Sequence, residues 1–173
     1  MADLIEKTIK SDRIYEGKIL NLRLDSVELP DRKYSKREIV EHVDSSAIVL
    51  VEDGKLLLTK HYRNTVDDII YEIPAGMIEV GETPIDAASR ELEEETGYIS
   101  DDIELIYSLC SSPGYSTEKI YFFKANPPFD IGNKIENLEI EFIDLERVEK
   151  LIYDLEIIDM KTVIAYYIAK DLI

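Results

Sequence analysis

The sequence has one cysteine, Cys110, and no tryptophan among its 173 residues. A single cysteine excludes a disulfide within the chain and makes a zinc site built from several thiolates implausible. We therefore expect Cys110 to be a small buried apolar residue.

Long apolar runs are also missing. The runs "AIVLV" at 47–51 and "LLL" at 56–58 are far too short to cross a bilayer. The opening "MADLIEKTIK" lacks the apolar stretch of a signal peptide. These features predict a soluble cytoplasmic protein with no membrane partner.

Positive charge is scarce, since 20 Lys and Arg stand against 37 Asp and Glu and give a formal net charge of −17. No dense basic run is present, which argues against nucleic acid or anionic membrane as a partner. If the substrate is a phosphate, something must neutralise the acids. Divalent cations such as Mg²⁺ are the obvious candidates, because they bind carboxylate oxygens.

The chain is long enough, and at 45% apolar residues hydrophobic enough, for one core. Residues 1–43 read as a β arm, with "ILNLRLDSVEL" and "REIVEHV" as strands around the turn-like "PDRK". Residues 44–173 read as the main domain, of the α/β class.

Several elements of the main domain follow from local pattern. "AIVLV" and "KLLLTKHY" predict a hairpin around Asp53 and Gly54, and "KIYFFKA" and "LEIEFIDL" predict strands. Apolar periodicity predicts one helix over about 145–155 and another from Asp159 to the end.

Capping residues delimit one further helix. Thr83 suits the N-cap, Pro84 the first helical position, Asp86 a reciprocal capping arrangement, and Gly97 the position after the last turn. The spacing places three apolar residues on a stripe that should face the core: Ile85, Ala88 and Leu92.

The last turns of this helix are acidic, although a helix dipole favours cations there. Glu91 and Glu95 lie one turn apart on the same face, and Glu94 can pair with Arg90. Such a pair of acids makes electrostatic sense once a divalent cation occupies the site. The alternative is a solvated acidic helix face, and Glu93 is expected to point into solvent.

The wider segment "GMIEVGETPIDAASRELEEETGY", 76–98, decides between these interpretations. It has Gly, five residues, Glu, seven residues, and then Arg-Glu-apolar-any-Glu-Glu-any-Gly-apolar. This segment resembles the Nudix box. The resemblance implies an α/β/α sandwich with a mixed sheet, in which divalent cations act on a nucleoside diphosphate linked to another moiety.

The resemblance also implies roles for single residues. The counterparts of Glu91, Glu94 and Glu95 bind metal in that family, together with a backbone carbonyl at the position of Ala75. Four further residues correspond to structural positions of the motif: Gly76, Glu82, Arg90 and Gly97.

Segments outside the box resemble the ADP-ribose pyrophosphatase branch of the family. These are "HYRNTVDDIIYEIPAG" at 61–76, "SSPGYSTEKIYFF" at 111–123, "REIVEHV" at 37–43 and "DMKT" at 159–162. His61 departs from the glutamine typical of the branch. Pro113 matches the downstream position that marks substrate specificity, although a Pro-Gly turn explains it locally.

By the same resemblance, Arg63 and Arg37 are candidates to contact the phosphates or the terminal ribose, and Glu72 to contact ribose. Their simpler interpretation is surface pairing with the abundant acids. Within 133–142, Glu136 is the first candidate for the general base and Glu139 the second. Either could equally be an exposed acid.

These observations predict Mg²⁺-dependent hydrolysis of ADP-ribose, or of a related ADP-sugar, to AMP and ribose 5-phosphate, with Mn²⁺ as another possible cofactor. One alternative is a pyrophosphatase for other nucleotide sugars or dinucleotides. Another is a domain that senses ADP-ribose without turnover. The branch further implies a homodimer in which the N-terminal strands complete the partner's substrate site.

Overall fold

The structure is a computed structural model that describes residues 4–127, 129–132, 134, 136 and 138–171. The chain divides into two compact units. The N-terminal unit contains Met1–Asp44 and Leu109–Lys119, and the main unit contains Ser45–Ser108 and Ile120–Ile173.

The N-terminal unit is built on an antiparallel sheet of β1 (Lys7–Glu16), β2 (Leu20–Glu28) and β3 (Tyr34–His42), with β2 in the middle. Residues 109–119 join this unit because the backbone N–H of Val40 donates to the carbonyl of Tyr115, at 2.8 Å. The two strands predicted in this region are confirmed as β2 and β3. The first strand, β1, is not apparent from the sequence, because nearly all its residues are exposed and it lacks an apolar alternation.

The main unit contains a seven-stranded mixed sheet within the described residues. Its strands are β4 (Ser45–Glu52), β5 (Lys55–Arg63), β6 (Asp68–Glu72), β7 (Ala75–Met77), β9 (Asp102–Cys110), β10 (Lys119–Asn126) and β12 (Glu139–Asp144), while β8 (Tyr98–Ile99) and β11 (Asp130–Ile131) form a separate antiparallel pair. The central path of the large sheet runs β12-β5-β4-β10-β9, with β6 beside β5 and β7 beside β4. The pair β4–β10 is parallel, whereas β5 is antiparallel to β4, β6 and β12.

Three helices cover this sheet in the described residues: α1 (Pro84–Thr96), α2 (Leu145–Tyr153) and α3 (Met160–Lys170). Side chains alternate between the two faces of a strand. On β4, Ala47 and Val49 therefore pack in a core with α2 and α3, whereas Ile48 and Leu50 pack with α1. The result is the predicted α/β/α arrangement, with two apolar cores on opposite faces of a mixed sheet.

The predicted boundaries of α1 are confirmed. Thr83 and Asp86 form a reciprocal capping box, Pro84 begins the helix, and Gly97 ends it with φ 81°. The predicted apolar stripe is partly wrong, because Ile85 is 44% exposed. Ile85 lies in the first turn, and it is Ala87, together with Ala88 and Leu92, that is buried.

Cys110 is exposed, so the expectation of a buried cysteine is wrong. It is the last residue of β9, which lies at one end of the sheet order and carries mostly exposed side chains. No helix within the described ranges has the length and apolar character needed to span a bilayer.

Candidate functional site

A salt bridge joins α1 to the loop that precedes it. Arg90 Nε donates to Glu82 Oε1 at 2.8 Å, and Nη2 donates to Glu82 Oε2 at 3.0 Å and to the carbonyl of Met77 at 3.1 Å. This guanidinium lowers the pKa of Glu82. Arg90 therefore ties the segment before the helix to the helix itself.

Gly76 provides space for the first acid of the helix. A Cβ atom at Gly76 would lie 1.9 Å from Glu91 Oε1, well inside van der Waals contact. Glycine is therefore the residue that lets β7 approach the Glu91 carboxylate.

The acids at the end of α1 are held close together. Glu91 and Glu95 are 8% and 4% exposed, and Glu94 is half-buried. Arg90 Nη1 lies 2.6 Å from Glu91 Oε1 and 3.1 Å from Glu94 Oε2, so the expected pairing of Arg90 with Glu94 is observed. Glu93 is also half-buried, in contrast to the expectation that it points into solvent.

Among these acids, Glu95 has the fewest contacts to offset the cost of burying its carboxylate. Its Oε2 is buried and has no hydrogen-bond partner within the described part of the chain. Burial is the largest cause that raises the pKa of Glu95, and together with the charges of Glu91 and Glu136 it brings this pKa to about 8, against a backbone hydrogen bond from Ala75 that lowers it. Burial also raises the pKa of Glu91. The site therefore favours protons or a cation over bare negative charge.

The donor set fits a hard divalent cation, since the orphan oxygen of Glu95 and its neighbouring carboxylates are the oxygen ligands that Mg²⁺ prefers. Among the described residues, no three Asp, Glu, His or Cys side chains are already grouped to hold an ion. Arg90 is one physical reason, because Nη1 occupies one oxygen each of Glu91 and Glu94.

The two candidates for the general base lie in different surroundings. The backbone N–H of Glu136 donates to the carbonyl of Glu94 at 2.9 Å, and the charge of Glu136 acts on Glu91 and Glu95. Glu139 lies on β12, and its exposed side chain pairs with Lys60 at 2.5 Å. Glu136 therefore lies next to the acidic cluster, by which we mean Glu91, Glu94 and Glu95, whereas Glu139 belongs to a surface ion pair.

Arg63 and Glu72 lie together in the main unit. Arg63 Nε and Nη2 each donate to one oxygen of Glu72 at 2.6 Å, and Glu72 is 4% exposed. The hydrogen bond with Glu72 raises the pKa of Arg63, and the charges of Glu95 and Asp159 contribute. Arg63 and Glu72, which are predicted to bind the substrate, thus lie close enough to the acidic cluster for its charge to act on Arg63.

Arg37 and Pro113 lie in the N-terminal unit. Arg37 forms a two-pronged salt bridge with Glu6, at 2.9 Å and 2.5 Å, which matches its simpler interpretation as an ordinary ion pair. Pro113 is exposed in a turn in which the N–H of Tyr115 donates to the carbonyl of Ser112 at 3.0 Å.

Several polar residues beside Arg63 and Glu72 were not identified as site residues from the sequence. Lys161 Nζ lies 3.7 Å from Glu72 Oε2 and donates to Asp159 Oδ1 at 2.7 Å. Thr162 and Thr59 contact the backbone next to Glu72. The only available signal was the resemblance of "DMKT", which contains Asp159, Lys161 and Thr162.

Comparison with known proteins adds to this geometry. The NUDIX domain family matches residues 40–164, and the nucleoside diphosphate sugar hydrolase N-terminal domain family matches residues 6–40. An ADP-ribose pyrophosphatase of Bacillus subtilis (strain 168) is 41% identical over 95% of this chain and 92% of its own. A methanol dehydrogenase activator of Bacillus methanolicus is 40% identical over 92% of this chain and 90% of its own.

A solved structure, titled as the crystal structure of an ADP compounds hydrolase, has a similar fold. It superposes with a TM-score of 0.86 over 98% of this chain and 95% of its own, at 19% identity. At that identity the likeness supports the fold.

Proposed function

The chain belongs to the Nudix family of hydrolases, and we propose that it hydrolyses the pyrophosphate of ADP-ribose, or of a related ADP-sugar, to AMP and ribose 5-phosphate. The observation that carries the proposal is the buried carboxylate of Glu95, which has one oxygen without a partner in the described structure and lies beside Glu91 and Glu136. An uncompensated acid of this kind is costly in a folded protein unless it serves a ligand.

We propose Mg²⁺ as the cofactor, with Mn²⁺ as a substitute, held by Glu91, Glu94, Glu95 and the carbonyl of Ala75. Such an ion neutralises phosphate oxygens and acidifies water when it is bound. Arg90 would then give up Glu91 and Glu94 and keep Glu82, with which it makes its two-pronged contact. Gly76, Glu82, Arg90 and Gly97 act as the scaffold of this site.

Glu136 is the proposed general base. Its backbone contact with Glu94 and its charge beside Glu91 and Glu95 support this role, because a base must lie within reach of the attacking water. Glu139 is the second candidate, and its pairing with Lys60 makes it the weaker one.

Arg63 and Glu72 are proposed to bind the substrate, with Arg63 directed to phosphate and Glu72 to ribose. A guanidinium fork matches paired phosphate oxygens. Arg37 is proposed to contribute from the N-terminal unit, and Pro113 to mark the specificity for ADP-ribose. Both depend on the arrangement of subunits described next.

We propose a cytoplasmic homodimer formed through the N-terminal arm of residues 1–43, with the hydrolase domain in 44–173. The match of residues 6–40 to a nucleotide-sugar hydrolase N-terminal domain supports this division. The strand β1 also exposes large apolar side chains, among them Ile9, Ile14 and Tyr15. Light scattering of the full chain should give twice the chain mass of 19.9 kDa, and the mass of one chain would contradict the dimer.

Two alternatives have specific support. GDP-mannose pyrophosphatases of Salmonella are 29–30% identical over 91% of this chain, which favours a wider nucleotide-sugar substrate range. The methanol dehydrogenase activator is nearly as similar to this chain as the ADP-ribose pyrophosphatase, which favours a role in activating another enzyme as the second alternative. A domain that senses ADP-ribose without hydrolysing it is a third alternative. The presence of all three proposed metal ligands, Glu91, Glu94 and Glu95, argues against it.

A substrate panel tests the proposal. ADP-ribose, GDP-mannose, NADH and diadenosine polyphosphates are incubated with the protein and Mg²⁺, and released mononucleotide is quantified by chromatography. The proposal predicts the highest kcat/KM for ADP-ribose. Tight binding of ADP-ribose without product would instead favour the sensor, and preference for GDP-mannose would favour the first alternative.

A further inference from the structure

One peptide group next to the proposed site is held on both sides by buried threonines. The carbonyl of Glu72 accepts a hydrogen bond from Thr59 Oγ1 at 3.2 Å, and the N–H of Ile73 donates to Thr162 Oγ1 at 2.9 Å. These two polar atoms belong to the same peptide group, between Glu72 and Ile73. Thr59 is 1% exposed and Thr162 is fully buried, so water does not compete for either bond.

The hydroxyl of Thr162 has a fixed direction. A hydroxyl has one proton to donate and lone pairs to accept. Thr162 Oγ1 donates to Asp159 Oδ2 at 2.7 Å, and its lone pair is therefore presented to the N–H of Ile73. Asp159 is also the N-cap of α3, because Oδ2 accepts from the N–H of Thr162 at 2.9 Å. The capping turn of α3 thus sets the orientation of the acceptor.

The clamped peptide connects two parts of the proposed site. On one side, Glu72 is held by the guanidinium fork of Arg63. On the other side, the chain continues through Pro74, whose carbonyl accepts from the N–H of Ile48 at 2.9 Å, to Ala75, whose backbone contacts Glu95. A rotation of the peptide would therefore move Glu72 and Ala75 together.

We propose that Thr59 and Thr162 are positioning residues, which hold the 72–75 segment so that Glu72 and Arg63 are set for the substrate while Ala75 stays at Glu95. This inference rests on the proposed function for its kinetic consequence only. The geometry itself is independent of the reaction. The two threonines hold the backbone of Glu72 itself. Loss of either hydrogen bond should therefore affect substrate binding more than turnover.

Matched variants separate positioning from general stability. Thr162→Val keeps the shape of the side chain and removes its hydroxyl, whereas Thr162→Ser keeps the hydroxyl. Thr59→Val removes the other bond of the clamp and provides a second test if Thr162→Val does not fold. Ser100→Ala is the control, since Ser100 Oγ is a buried donor to the carbonyl of Asn126 at 2.6 Å and not to the 72–75 segment.

The expected results concern kinetics and amide exchange together. Thr162→Val and Thr59→Val should raise KM for ADP-ribose by about tenfold with a smaller fall in kcat, because displaced binding groups lose affinity. Thr162→Ser should stay near wild type. Hydrogen exchange by mass spectrometry should show faster exchange of the Ile73 amide in Thr162→Val than in Ser100→Ala.

Two results would overturn the proposal: a Thr162→Val KM equal to that of an equally destabilised Ser100→Ala, or a Thr162→Ser variant as impaired as Thr162→Val. If wild type binds ADP-ribose without hydrolysing it, the proposed function fails, and calorimetric affinity for ADP-ribose replaces KM in the same comparison. If wild type neither binds nor hydrolyses ADP-ribose, the proposed function and the kinetic part of this inference fail together, and unchanged Ile73 exchange would remove the geometric part.

Discussion

Arg63 holds Glu72 by two parallel hydrogen bonds of 2.6 Å each, and the Glu72 carboxylate is almost completely buried. Arg63 itself is partly exposed, so it has one side on a buried acid and another towards solvent. Lys161 is the other cation near Glu72, at 3.7 Å. A guanidinium held in this way is oriented before any substrate arrives.

Replacement of Arg63 by Met should therefore lower both the free energy of unfolding and the affinity for the nucleotide, and the two losses can be measured separately. Loss of Arg63 leaves the Glu72 charge buried without its main partner, and we expect about 2 kcal/mol less stability. This is below the usual cost of breaking a fully buried pair, because Arg63 is partly exposed and Lys161 remains near Glu72. Urea unfolding measures this change. KM for the nucleotide should also rise.

The double variant Arg63→Met with Glu72→Met is the control for this prediction. It removes both charges, and we expect it to recover most of the lost stability while KM stays high. Recovery of KM along with stability would show that Arg63 has a structural role only.

In metal-free protein, Glu95 should make stability depend on pH. Its folded pKa is about 8 against an ordinary 4.5, so the folded state binds the proton more tightly than the unfolded state. The resulting destabilisation is absent below pH 4.5, grows between 4.5 and 8 and is complete above 8, and one pKa unit corresponds to about 1.4 kcal/mol.

We therefore expect the unfolding free energy in EDTA to fall between pH 5 and pH 8.5, and Glu95→Gln to flatten this fall. Glu95→Gln should also be more stable than wild type at pH 8.5 without metal, and should lose most turnover. Equal pH dependence in the two proteins would contradict the electrostatic account.

Gly76→Ala should damage the site through Glu91. The new Cβ would lie 1.9 Å from Glu91 Oε1, so the carboxylate has to move. We expect kcat/KM to fall by about a hundredfold, the order of loss found when catalytic groups are misplaced by about 1 Å. Gly114→Ala is the matched control, because a Cβ at Gly114 meets no atom within 4 Å. Equal activity of the two variants would exclude the role assigned to Gly76.

Glu136 and Glu139 can be distinguished by the same substitution at each. Glu136→Gln should lower kcat by about a hundredfold with little change in KM, since a general base contributes roughly this factor. Glu139→Gln should keep near wild-type kcat, because its carboxylate pairs with Lys60 at the surface. Steady-state kinetics and the pH profile of kcat provide the measurement, and the reverse pattern would assign the base to Glu139.

Much of the main fold could be predicted from local sequence. The caps Thr83, Asp86 and Gly97 delimit α1, and Asp53 with Gly54 marks the β4–β5 hairpin, because these signals act over a few residues.

The burial of Ile85 was predicted wrongly. Helical periodicity fixes which residues share a stripe, but the packing partners decide where along the helix that stripe is covered.

In the site, too, contacts between residues close in sequence could be predicted, whereas contacts between distant residues could not. The Glu91, Glu94 and Glu95 cluster was apparent because all three acids lie within five residues. The threonine clamp was not, since Thr59 and Thr162 lie 13 and 89 residues from their partners and neither lies in a pattern that predicts the contact. The exposure of Cys110 could not be predicted, because burial depends on whether a strand lies in the middle or at the edge of its sheet, which composition does not reveal.

The central claim is that the acids of α1 hold a divalent cation that enables hydrolysis of ADP-ribose. The most direct measurement incubates wild type and Glu95→Gln with ADP-ribose, in Mg²⁺ or in EDTA, and quantifies AMP and ribose 5-phosphate. We predict equal amounts of the two products from wild type in Mg²⁺ alone, and little product from the other three reactions. Product formation by wild type in EDTA, or no product in Mg²⁺ despite binding of ADP-ribose, would contradict the account.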